Sequence, residues 1–113
     1  MPSGYICNDN CNPAAIKDIL LQRYALGERD FTNNFSCVEL RLSDLRGADL
    51  SGVNLSNTNL SNSILKYIDL SYANLSNANL TNANLEGAIL DSANLEGAIF
   101  STTIMPDGSV RNN

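Results

Sequence analysis

Large apolar residues recur at every fifth position through most of the chain. The series runs Phe35, Leu40, Leu45, Leu50, Leu55, Leu60, Leu65, Leu70, Leu75, Leu80, Leu85, Leu90, Leu95 and Phe100, and Met105 continues it. Two residues before each stands a smaller side chain, as at Ala48, Val53, Ser63, Ala73, Ala78, Ala83 and Ala93. The other three positions are mostly Asn, Ser, Asp, Glu and Gly. A period of five fits neither regular element. On a helix each step would rotate the large residue by about 140° and scatter it around the surface. On a flat strand successive large residues would point to opposite faces. The chain therefore turns once per five residues. Four sides close a square coil of twenty residues, with the large residue inward from each side and the small one beside it. Stacking then sets Leu55 over Phe35 and under Leu75, with parallel columns for Leu40, Leu45 and Leu50.

The unit Ala-Asn-Leu-Ser/Glu-Asn/Gly stands at Ala73–Asn77, Ala78–Asn82 and Ala93–Gly97, the middle copy carrying Thr81 at its fourth place. It resembles the signature of the pentapeptide-repeat family, over residues 31–105, in the manner of a small bacterial or cyanobacterial-type member. The resemblance implies an all-β solenoid, a right-handed quadrilateral β-helix of about 3.5 coils; the handedness comes from the resemblance and not from the period. At a rise of ~4.8 Å per coil the rod would stand about 17 Å tall. Outward Asn columns, such as Asn34, Asn54, Asn74 and Asn94, are candidates for side-chain ladders.

Ends of a solenoid expose open strand edges and apolar core. Residues 1–30 form an N-terminal segment with a predicted helix at 13–26. Asn12 suits its N-cap, Pro13 its first turn and Gly27 its C-terminal stop. Ile16, Ile19, Leu20 and Tyr24 share one face of it, which predicts an α-helical cap over the first coil. Residues 31–105 form the β-helix and 106–113 a tail. Its Pro106-Asp107-Gly108 turn signal covers only part of the last coil.

Charge and composition narrow the function. Net charge is -5, charged residues are 17% and Trp and His are absent. An acidic chain has no electrostatic support for binding nucleic-acid phosphates, so no direct nucleic-acid contact is expected. No stretch approaches the ~20 apolar residues of a membrane span, so no membrane role is expected. No secretory signal is visible at Met1–Tyr5, and the expected location is cytoplasmic. Three cysteines, Cys7, Cys11 and Cys37, fit no disulfide framework and no zinc spacing. Free thiols are the expected state, with a Cys7–Cys37 or Cys11–Cys37 bridge as the alternative.

Nothing in the chain resembles an active site. There is no histidine base, nucleophile elbow or phosphate loop, and no catalytic residue, cofactor or metal ligand is assigned. The informative positions are departures from the repeat. Ile64, Tyr67, Tyr72, Ile99 and Ile104 replace Asn or Gly and form the candidate contact surface, with Ile89 a further departure. These features point to a non-enzymatic structural or protein-interaction module whose partner is another protein. Self-association as a homodimer through the C-terminal end is also expected. The alternative comes from the resemblance: one family branch protects DNA gyrase by imitating duplex DNA. Between residues 35 and 102, seven acidic side chains stand against Arg41, Arg46 and Lys66, a net of -4, which is thin for a polyanion mimic.

Overall fold

In a computed structural model the protein is described for residues 13–31, 40–41 and 43–113, with side chains from residue 18 onward. The helix, α1, spans Pro13–Ala25. Pro13 stands at its first position, where a missing N–H costs nothing. Its end is set by backbone geometry: Gly27 adopts φ 96°. The Gly27 N–H donates to the Tyr24 carbonyl at 2.9 Å and the Glu28 N–H to the Arg23 carbonyl at 3.1 Å. This pair of bonds is the Schellman arrangement that satisfies the last carbonyls of a helix.

From Ser43 onward the chain repeats one five-residue move. Each turn closes by a hydrogen bond from the small residue to the large residue three places earlier, as from Ala73 N–H to the Leu70 carbonyl and from Ala78 N–H to the Leu75 carbonyl, both at 3.0 Å. The third residue of each turn has positive φ: Gly47, Gly52, Asn57, Asn62, Tyr67, Tyr72, Asn77, Asn82, Gly87, Ser92, Gly97 and Thr102. Positive φ there marks a type II turn. Between turns, single parallel bridges join residues twenty apart, as in Asn54–Asn74–Asn94, Asp49–Asp69–Ile89 and Asp44–Ile64–Asn84–Ile104. Each side contributes three bonds to the next coil. Leu55 N–H donates to Asn74 C=O at 2.8 Å, Asn57 N–H to Ser76 C=O at 2.9 Å, and Asn74 N–H to Val53 C=O at 2.9 Å.

The interior follows from this register. Leu40, Leu45, Leu50, Leu55, Leu60, Leu65, Leu70, Leu75, Leu80, Leu85 and Phe100 are buried, together with Ala48, Val53, Ile68, Ala73, Ala78 and Ala83. Leu90 and Leu95, in the last coil, are half-buried. Where a hydroxyl replaces the small apolar residue it is buried but paired: Ser43 Oγ donates to the Leu40 carbonyl and Thr103 Oγ1 to the Leu80 carbonyl, each at 2.6 Å. Buried polar groups persist in such cores only with partners of this kind.

The first ladder departs from the expected stacking. Asp30, not a residue twenty places before it, bridges Asn54. Asn54 N–H donates to Arg29 C=O at 2.6 Å and Phe31 N–H to Asn54 C=O at 3.1 Å. Phe31, 1% exposed, thus lies in register with Leu55 where the period placed Phe35. Phe35 itself lies outside the described residues. Phe31 is four places before Phe35 and so off the five-residue register, which is why the apolar period does not point to it.

The helix packs through Leu20, which is buried in the core, with Ile19, Leu21 and Tyr24 against it. The Tyr24 hydroxyl donates to the Ser51 carbonyl at 2.8 Å. At the other end the tail folds back. Two short strands, β1 (Thr103–Ile104) and β2 (Val110–Arg111), pair antiparallel. The Pro106–Gly108 turn joins them, and the Arg111 guanidinium lies 4.0 Å from the Phe100 ring centre.

Leu75 is fully buried in the centre of its column, whereas the Ser76 hydroxyl makes one half-buried bond to Asn74. Leu75→Ala should cost about 2–5 kcal/mol through lost burial and cavity formation. Ser76→Ala should cost no more than about 1.5 kcal/mol. Equal shifts of the urea midpoint for the two variants would contradict the inward assignment of Leu75.

Candidate functional site

The outward surface is built from two repeat positions, one before and one after the inward residue. The Asn before it is tied locally rather than to the next coil. Asn74 Oδ1 accepts the Ser76 N–H at 3.0 Å and the Ser76 hydroxyl at 2.7 Å. Asn54 with Ser56, Asn59 with Ser61 and Asn79 with Thr81 repeat the arrangement. The expected ladder role of these side chains is therefore replaced by an Asx turn, which satisfies the backbone at the start of each corner. Asp69 does the same toward Ser71, at 3.0 Å from the N–H and 2.7 Å from the hydroxyl. The Ser71 N–H and then its hydroxyl hold the Asp69 carboxyl below the ordinary carboxylate range. The Ser109 hydroxyl and N–H do so for Asp107.

The five residues proposed as a contact surface do not converge. Ile64 and Ile104 share one column but Asn84 separates them. Ile99 ends a different column, Asn59–Asn79–Ile99. Tyr67 and Tyr72 occupy successive corners and are 63% and 73% exposed. Both stand in the left-handed region, at φ 62° and 61°. Bulky side chains are true outliers there, at about 1–2 kcal/mol each, whereas Gly and Asn are at ease. Tyr67 has a packing reason for its place. Its ring lies over Gly87, where an added Cβ would come within 2.5 Å of ring carbons. Tyr72 has Ser92 at the equivalent place on the next coil and is the more exposed of the two.

Ile89 is 44% exposed and stands above Asp69 on the side between the two tyrosine corners. It belongs to the surface that the tyrosines flank, in the column where the twenty-residue coil sets it. Cys7, Cys11 and Cys37, with any bridge among them, lie outside the described residues. Among the described residues no group of three or more His, Cys, Asp or Glu is placed to hold a metal ion. None of the described helices is long and apolar enough to cross a membrane. A shallow hollow of about 590 Å³ lies along the C-terminal hairpin, lined by residues 105–107 and 109–113.

A ladder that returns every twenty residues around a leucine and alanine core, with its variation confined to corners and outer columns, defines a repeat solenoid that presents surfaces. Pentapeptide repeats, in eight copies, match residues 34–62 and 68–105, more than half of the sequence. The chain belongs to the pentapeptide-repeat family, and membership implies a right-handed β-helix. Among solved structures it is similar to HetL, a pentapeptide repeat protein involved in heterocyst differentiation regulation from the cyanobacterium Nostoc sp. Strain PCC 7120. The identity is 40%, over 66% of this chain and 37% of that one, with a TM-score of 0.46. It is also similar to a pentapeptide repeat protein of the Arabidopsis thaliana thylakoid lumen, with 29% identity over 74% of this chain and 66% of that one and a TM-score of 0.46. A third, Rfr23 from the cyanobacterium Cyanothece 51142, is 30% identical over 54% of this chain and 58% of that one, with a TM-score of 0.34. The chain therefore spans just over a third of the length of HetL and just under two thirds of the Arabidopsis protein. No curated protein matches it.

Two outcomes test this surface. Tyr72→Asn keeps a residue that accepts left-handed backbone and removes one that does not, so it should raise stability by about 1 kcal/mol. A lower urea midpoint for this variant would contradict the strain assignment. Asp69 has a lowered folded pKa, so its contribution is complete above the unfolded carboxylate value of about 3.9 and is lost as pH falls through the folded value. The acid limb of stability below about pH 4 should be shallower in Asp69→Asn, whose amide oxygen still accepts from Ser71. Superimposable acid limbs for the two proteins would contradict it.

Proposed function

We propose that this protein is a non-enzymatic interaction module, a short β-helix of about 3.5 coils that binds other proteins through its exposed surfaces, with self-association through its C-terminal end. In this reading α1 is the N-terminal cap. Leu20 and Tyr24 support that role, since they cover apolar surface and satisfy a backbone carbonyl of the coil region. The other end is only half covered. The hairpin lies against the Phe100 side through Arg111 and through Asn112, which accepts the Thr102 N–H at 2.8 Å.

The observation that carries the self-association reading is the open ladder beside that hairpin. The N–H groups of Leu90, Ser92, Leu95 and Gly97 and the carbonyls of Ala88 and Ala93 stand where earlier coils bond to the next one, and among the described residues they meet no partner. Half-buried Leu90 and Leu95 lie beneath them. An edge of this kind is a template for another strand. A second copy offers matching spacing, and a two-fold contact closes the pair. Among the described residues, nothing in the outer columns gathers groups for general acid–base or nucleophilic work, which supports a binding role over catalysis. Cytoplasmic residence and the absence of nucleic-acid and membrane partners belong to this reading. A DNA mimic directed at an enzyme such as gyrase is weaker, because the outer columns are mostly uncharged Asn and Ser.

Sedimentation over a wide concentration range tests the assignment. The native chain should show a monomer–dimer equilibrium. Leu95→Lys and Ile99→Lys should shift it to monomer without changing the circular dichroism spectrum. A native chain that stays monomeric throughout would refute end-to-end association.

A further inference from the structure

One side of the coil is formed by residues 48–52, 68–72 and 88–92. Asp49, Asp69 and Ile89 face outward in one column and Ser51, Ser71 and Asp91 in the next. No Lys or Arg occurs on this side. Among the described residues, none of its three carboxylates has an ion-pair partner within 4 Å. The corners that bound it are Tyr67 and Tyr72.

The two corners repeat one arrangement with one component missing. Tyr67 N–H donates to the Glu86 carbonyl at 3.0 Å, and Tyr72 N–H donates to the Asp91 carbonyl at 2.8 Å. On the next coil an acidic residue thus stands above the residue that precedes each tyrosine, Glu86 above Lys66 and Asp91 above Ser71. At the first corner the residue before the tyrosine is Lys66. Its Nζ lies 3.5 Å from Glu86 Oε1 and 5.6 Å from the centre of the Tyr67 ring. At the second corner that position is Ser71, and no cation is present. The same contrast holds for the other described aromatic rings. Arg23 faces Phe31 at 5.7 Å, Arg29 faces Tyr24 at 3.5 Å and Arg111 faces Phe100 at 4.0 Å. Tyr72 alone among them carries no cation, although it is the most exposed.

We propose that the Tyr72–Asp91 corner receives a Lys or Arg side chain from a basic segment of a partner protein. The ring face and the Asp91 carboxylate hold the cation as Tyr67 and Glu86 hold Lys66. Asp69 and Asp49 line the adjoining column and attract further basic residues of an extended segment. Ile89 offers apolar surface to the aliphatic stem of one of them. Strain at Tyr72 fits this role, since the residue weakens the fold and is kept where it can be reached. The inference rests on the reading of the protein as an interaction module, but it concerns the flank and not the C-terminal end. A failed sedimentation test would leave it standing.

The probe is a short peptide of alternating arginine and glycine, titrated into the full chain at low salt and followed by calorimetry and amide chemical shifts. Shifts should concentrate at Asp69–Tyr72 and at Ile89–Ser92. Tyr72→Asn, which leaves net charge unchanged, should weaken binding about two- to fivefold. Asp91→Asn should weaken it at least as much, while Glu96→Gln, an equal charge change on the next side, should not. Ser71→Lys would supply the missing cation from within and should abolish peptide binding with the fold intact. Binding by Tyr72→Asn equal to that of the native chain would overturn the proposal. So would equal losses from Asp91→Asn and Glu96→Gln, because then only the overall negative field attracts the peptide. Shifts confined to the Leu90–Leu95 edge would mean that the peptide adds as a strand at the open end, and would overturn it too.

Discussion

Backbone pairing between residues about twenty apart is the constraint on which this architecture depends. Single bridges replace continuous strands, so each side has only a few hydrogen bonds with which to satisfy its inner polar groups. Leu55 to Asn74, Asn57 to Ser76 and Asn74 to Val53 are the full set for one side between two coils. A side one residue longer or shorter would misalign all three bonds and rotate the inward leucine out of its column. The strict five-residue spacing is thus a condition on hydrogen bonding as much as on burial. It also explains the composition of the interior: most inward positions are leucine, with small residues such as alanine beside them, because four sides close on a narrow square.

The corners meet a second requirement. A turn every five residues needs positive φ at its third residue, which Gly and Asn supply with little strain. The Asn before the inward leucine then accepts from the backbone two residues later, so that Asn-Leu-Ser is one hydrogen-bonded device at each corner. Where tyrosine stands at the left-handed position this agreement between local preference and fold is broken. At Tyr67 the break is offset by packing over Gly87 and by Lys66. At Tyr72 no cation lies over the ring among the described residues, and the partner site proposed for the flank beside it rests on that difference.

In the proposed reading, with α1 as the cap, the two ends meet the edge problem unequally. The helix sets Leu20 into the core and the Tyr24 hydroxyl on the Ser51 carbonyl. The C-terminal hairpin covers the Phe100 side and leaves Leu90 and Leu95 half-buried under unpaired backbone. The two proposals therefore call on different chemistry: strand addition at the end, cation capture at the flank.

The sequence by itself determined the coil, because a five-residue period of Leu with Ala two places earlier is compatible with neither helix nor flat strand. It also determined the tight set of corner residues, since Gly and Asn recur where the backbone is left-handed. Four features were decided only by tertiary structure. Phe31, which stands outside the five-residue series, lies in register with Leu55, because backbone bonds to Asn54 and not the apolar period set the first ladder. Asn side chains turned to their own corners, because a nearer donor at Ser76 outcompetes a neighbour one coil away. The tail folded onto Phe100, because the Arg111 guanidinium meets the ring face, a contact that the sequence of the tail does not announce. The grouping of Tyr72 with Asp91 and Ile89 is a fact of stacking. Residues nineteen and seventeen places apart become neighbours only when the twenty-residue coil has closed.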